Sequence, residues 1–253
     1  EVFSMGGILS LAAFAGQSIT IVYMTNGELG GDAEIRIAEA RSVCNRLNAK
    51  SHFLNIPDSI VKATDALFSI IEKLIVDLHP DNVFFPSPQE YHADHRATAA
   101  AVWRALQKAK FEGDAYCYEV SRQCECDTLI DISSVMDAKK ALCDLYASQL
   151  TENNYFDVVQ AINKARTYTL PSGIEYAEGL LKISNINHNP KGYFRNIHEN
   201  FFFDLKLIGG LYKNSITPQE QQEYFKNSLI EEAIASSQIE GAATTTDVAR
   251  DMI

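Results

Sequence analysis

The chain has 253 residues, 46% of them hydrophobic, enough for one large or two modest domains with a real core. Its formal net charge of -11 at pH 7 argues against a nucleic-acid phosphate track, which needs a basic face. The longest apolar stretch near the start, Ile8 to Ala15, is far shorter than the roughly 20 residues of a membrane span, so no span is expected.

Met5 to Ala15 is predicted to be helical, and Ser18 to Met24 is a β-branched run of strand length followed by a Thr25-Asn26-Gly27-Glu28 turn. Glu34 to Leu47 reads as an amphipathic helix, with Ile35, Ala38 and Val43 on one side and Arg36, Glu39, Arg41 and Arg46 available to the other. His52 to Ile56 reads as a strand closed by Pro57-Asp58. Leu67, Ile71, Leu74, Ile75 and Leu78 repeat at helical intervals before the strand Asn82 to Pro86. An alanine-rich helix follows from Ala97 to Ala109, then strands at Ala115 to Val120 and Thr128 to Ile132, the second leading into a helix N-cap region at Ser133 and Ser134. Asp137 to Leu150 and Tyr155 to Arg166 are predicted helices, and Ile174 to Ile183 is the last ordered segment. Strands alternating with helices in this way indicate crossover units and a largely parallel sheet.

The polar, breaker-rich stretch Ser184 to Gly192 marks a domain boundary, dividing the chain into 1–183 and 184–253. Beyond it Phe201, Leu205, Ile208 and Tyr212 keep helical spacing, although Gly209-Gly210 costs about 1 kcal/mol per glycine, and Leu229 to Glu240 is a second helix. The tail is expected to be all helical. Five scattered cysteines, an odd number with no secretory leader, point to a reducing cytoplasm. Among them Cys124-x-Cys126 is too tight and isolated for a zinc knuckle and is expected to be structural.

The pattern richest in chemistry is His92-Ala93-Asp94-His95-Arg96. Pro86 and Pro88 end the preceding strand, so the two histidines fall at its carboxyl end, the edge where ligands bind in open α/β sheets. Two imidazoles three positions apart suit metal binding or acid–base work. The plainer alternative is that one caps the helix and the other packs.

Taken in order, Thr25-Asn-Gly-Glu28, Arg36-x-x-Glu39-Ala40, Leu54-Asn-Ile-Pro-Asp58, Tyr91-His-Ala-Asp-His-Arg96, Val135-Met-Asp-x-Lys139 and Tyr146-Ala-Ser-Gln149 resemble the LmbE/PIG-L family of metal-dependent N-acetylglucosaminyl deacetylases. The resemblance covers about residues 1–183 and implies a Rossmann-like sheet and a zinc-dependent amidase acting on a small-molecule N-acetylated sugar conjugate. Under it His95 is a metal ligand. His92, in its cationic form, polarises the acyl oxygen and stabilises the oxyanion, with Asp94 orienting His92. Arg36 contacts the sugar; its alternative use is a solvated helix charge paired with Glu39. The family's remaining zinc ligands and its general base sit in a Pro-His-Pro-Asp-Asp-Glu segment. The sequence opens at Glu1-Val2, matching the last residue of that segment and the next, so those groups and the first strand are expected to be absent from it. Weak zinc binding and poor turnover are therefore expected. An unpaired central strand edge would favour aggregation or swapping, which makes an oligomer possible.

In the tail, Ser228 to Thr245 with Asp247-Val248-Ala249 resembles the amino-terminal region of Fic-family adenylyltransferases. There Ser236-x-x-x-Glu240-Gly241 is similar to the autoinhibitory helix motif, whose glutamate pairs with a catalytic-loop arginine. The Fic catalytic signature is not in the sequence, so the partner this resemblance implies is a separate Fic catalytic core, and the competing function is a non-catalytic regulatory module.

Overall fold

The structure, a computed structural model, describes residues 2–151 and 153–183. The helix α1 (Val2–Phe14) is apolar all round instead of along one stripe, as a helix packed on several sides must be: Val2, Met5, Gly6, Gly7 and Ser10 are buried. It leads to β1 (Thr20–Thr25), then α2 (Ala33–Arg46), whose N-cap Asp32 accepts hydrogen bonds from Glu34 N at 2.8 Å and Ile35 N at 3.2 Å. Next comes β2 (Lys50–Ile56), parallel to β1. The helix α3 (Asp65–Leu78) is capped by Thr64 and ends at His79 in the left-handed region, with Pro80 barring continuation. Its buried residues Leu67, Ile71 and Ile75 are the predicted stripe.

The strand β3 (Asn82–Pro86) occupies the predicted span. The helix α4 (Ala93–Lys108) starts four residues earlier than expected, so Asp94 and His95 lie in its first turn and His92 is its N-cap. The strand β4 (Asp114–Tyr118) pairs parallel with β3. After it come β5 (Thr128–Asp131), α5 (Met136–Cys143), α6 (Ala147–Leu150), α7 (Tyr155–Ala165) and β6 (Ala177–Lys182). The single helix predicted over 137–150 is broken at Tyr146, where the Ser148 amide and hydroxyl both donate to the Glu39 carboxylate of α2, at 2.8 and 2.7 Å.

The α/β class is as expected, with parallel strands flanked by helices, but the sheet is mixed. One sheet has the order β1-β2 and the other β3-β4-β6-β5, and β6 runs antiparallel to both β4 and β5. Two apolar clusters correspond to the two sheets. One joins α3, α4, β3 and β4 around Phe85, Trp103 and Leu106; the other joins α1, β1 and α2 around Ile21, Val43 and Leu142 of α5. The edge of β1 away from β2 and the edge of β3 away from β4 have no strand partner among the described residues, and both strands line one cavity of about 1210 Å³. The domain boundary at 184, the helical tail, and the Fic-like residues Ser236, Glu240 and Gly241 lie outside the described residues.

Candidate functional site

Four loops leaving the carboxyl ends of parallel strands converge on that cavity. The loop after β1 brings Asn26 and Gly27 and leads into α2 with Arg36; that after β2 brings Asp58 and Ser59. The loop after β3 delivers His92, Asp94 and His95, and that after β4 delivers Val120 and Ser121. Strand backbones running the same way present their loops at one edge, which is why such edges hold ligand sites.

The two imidazoles lie side by side with ring centroids 5.1 Å apart. His92 Nδ1 accepts the backbone N–H of Asp94 at 3.3 Å, so His92 both caps α4 and lines the cavity. A ring nitrogen that accepts a hydrogen bond carries no proton, which leaves Nε2 as the nitrogen able to donate. Asp94 is not turned toward His92: its buried carboxylate accepts from Ser59 N at 2.7 Å and Val61 N at 3.1 Å. It thereby anchors the loop after β2, where Ser59 is held at φ 64°, a strained value for a residue with a side chain.

Arg36 reaches over Gly27 and Gly30, donating to Gly30 O at 3.4 Å. A Cβ on Gly27 would lie 3.0 Å from the guanidinium carbon, and its φ of 68° is itself a glycine conformation. The alternative pairing with Glu39 does not form, since Glu39 is bound to Ser148, and Arg36 has no carboxylate partner among the described residues.

Four buried side-chain polar atoms lack a hydrogen-bond partner among the described residues, and three of them, Asn26 Oδ1, Arg36 Nε and His95 Nδ1, belong to residues lining this cavity. Buried polar groups are normally paired, so these three are open to a partner from the cavity. Asn26 was visible only as part of a turn. Glu90 went unnoticed in the sequence, yet it is 1% exposed and accepts from Val120 N at 2.7 Å and Ser121 N at 2.9 Å, with Oε2 3.7 Å from His95 Nδ1. Burial alone would raise its carboxyl, but the imidazole and the two amides outweigh it and hold the group below its ordinary value.

Among the described residues no three His, Cys, Asp or Glu side chains lie close enough together to hold a metal ion. A zinc hydrolase site needs three protein ligands and an open position. His95 is the residue that the family resemblance assigns to the metal, and no group of three ligands forms around it among the described residues. Cys124, whose Sγ lies 3.7 Å from Glu90 Oε1, is no substitute: burial first, and the neighbouring carboxylates of Glu90 and Glu119, push its thiol up to about 12 despite a hydrogen bond with Ser87.

The fold is that of an α/β protein with a cavity running along β1 and β3 and lined at the carboxyl ends of these strands by the loops just described. More particularly, residues 1–106, from α1 nearly to the end of α4, match the family model PIG-L, GlcNAc-PI de-N-acetylase. Among solved structures, the conserved protein TT1542 from Thermus thermophilus is similar at 24% identity and a TM-score of 0.65, over 75% of this chain and 92% of that one. The N,N'-diacetylchitobiose deacetylase from Pyrococcus horikoshii is similar at 22% identity and a TM-score of 0.64, over 81% and 84%. GalB, the 4-carboxy-2-hydroxymuconate hydratase from Pseudomonas putida, is similar at 23% identity and a TM-score of 0.63, over 72% and 91%. At these identities the likeness is one of fold, and the fold hosts more than one chemistry.

Proposed function

We propose that the parent activity is zinc-dependent hydrolysis of the N-acetyl group of a glucosamine-type sugar conjugate. In this reading the Arg36 guanidinium, whose Nε lacks a partner among the described residues, binds sugar hydroxyls. The His92 Nε2–H donates to the acyl oxygen as it becomes an oxyanion, a contact worth about 3 kcal/mol of barrier. His95 contributes one zinc ligand, and Asp94 shapes the site by holding the loop after β2. What supports the reading is the convergence of His92, His95 and Arg36 on one cavity, all within the stretch that matches the deacetylase family. All five cysteines are free of disulfides, which suits action in a reducing cytoplasm.

A weak metal site, and hence slow turnover, is part of this proposal. After dialysis, metal analysis is expected to find well under one zinc per chain, and acetate release from N-acetylglucosamine derivatives to need added zinc and to be abolished by His92→Ala. One tightly held zinc per chain would refute the weak-site expectation. No acetate at any zinc concentration, together with hydration of an unsaturated acid, would replace the deacetylase reading with the hydratase chemistry found on the same fold.

A further inference from the structure

Glu90 has no role in the reading above, yet it is among the most deeply buried charged groups near the cavity. It sits in the turn between β3 and α4, and its side chain is 0% exposed. The loop after β4 holds its carboxylate in place, Val120 N donating to Oε1 at 2.7 Å and Ser121 N to Oε2 at 2.9 Å. Arg96, one turn into α4, steadies its backbone by donating to Glu90 O at 2.8 Å and also to Tyr91 O. A carboxylate so placed is an acceptor only, with lone pairs left over.

The imidazole of His95 faces it. Nδ1 is buried without a hydrogen-bond partner, and Glu90 Oε2 lies 3.7 Å from it, close enough to be bonded after a small rotation of either side chain. A third of the His95 side chain remains exposed, and Nδ1 is not part of that exposed surface. His92 has the reverse arrangement, with Nδ1 accepting from the Asp94 amide. We propose that Glu90 is a positioning residue that locks His95 as the Nδ1–H tautomer, so that the two neighbouring imidazoles are held in opposite tautomers. His92 then offers a proton from Nε2, while His95 offers a lone pair from Nε2. A carboxylate behind an imidazole fixes both its ring orientation and its basicity. The inference rests on the deacetylase reading only for the use to which that donor and acceptor are put. Neither tautomer depends on a bound metal or sugar.

Imidazole 15N NMR of the metal-free protein above the histidine titration range tests it, with the two rings assigned from His92→Asn and His95→Asn spectra. The expected result is a protonated Nδ1 and a lone-pair Nε2 for His95, with the opposite pattern for His92. Glu90→Gln should move His95 to a tautomer mixture and leave His92 unchanged, and Glu90→Asp should restore part of the wild-type pattern. A wild-type His95 protonated on Nε2, or a His95 pattern indifferent to Glu90→Gln, overturns the proposal, and the first of these needs no variant to fold. Opposite tautomers with no acetate release at any zinc concentration would uphold this inference while sinking the deacetylase reading.

Discussion

Lys139 and Glu178 are a pair of charges withdrawn from water. The Lys139 ammonium donates to Glu178 Oε1 at 2.7 Å, Asn163 Oδ1 at 2.8 Å and Ser4 O at 3.4 Å, while Glu178 also accepts the amides of Gly7 and Ile8, both at 2.8 Å. With every partner present the cluster joins α1, α5, α7 and β6; with one removed it leaves a buried ion. Lys139→Met is expected to cost about 3–5 kcal/mol in urea unfolding, and adding Glu178→Gln to recover part of it, because an unpaired charge is worse than none. A double mutant no more stable than the single would show that the charge is not the source of the loss. At this scale His92 and His95 stand out in the sequence by their spacing beside a strand end, and Arg36 only through the family resemblance. Asn26 and Glu90 do not, because Asn26 matters through an oxygen left unpaired by packing, and Glu90 through amides 30 and 31 positions away.

Among the elements, α1 depends most on small side chains. Gly6 and Gly7 let it approach Lys139 and Ile132 so closely that a Cβ on Gly7 would lie 2.6 Å from Ile132 Cγ2 and 2.7 Å from its Cβ. Ile132 is fully buried and has no free space to retreat into. Gly7→Ala is therefore expected to destabilise the fold by about 1–3 kcal/mol despite the better helix propensity of alanine, read as a lowered thermal midpoint. A neutral or stabilising result would mean that α1 does not sit in this contact. Periodicity located α2, α3 and α7 to within a few residues, because the stripe each buries is written locally, and the apolar run of α1 located that helix as closely. It placed the start of α4 too late, since the helical first turn is built on His92 acting as a cap. It also missed the break between α5 and α6, which is drawn by Glu39 on a distant helix.

Over the whole described molecule, the two sheets meet the same cavity with unpaired edges. Along a parallel strand the N–H and C=O of each residue point to one side and those of the next residue to the other, so a strand with one neighbour leaves alternate amides unpaired. Hydrogen exchange should show fast and slow amides alternating along Thr20–Thr25 and Asn82–Phe85, with the fast set slowed if the chain self-associates through these edges. Uniform protection along both strands would mean that another segment covers them. From sequence alone came the alternation of strands and helices, the α/β class, and the histidine pair at a strand's carboxyl end, because hydrophobic period, turn residues and short spacings are properties of neighbours in the chain. Only the tertiary structure decided that β6 enters antiparallel, that the Asp94 carboxylate binds the loop after β2, and that Asn26, Arg36 and His95 share one cavity. Those outcomes depend on hydrogen bonds and contacts between residues far apart in sequence, and no local pattern encodes which distant group will arrive.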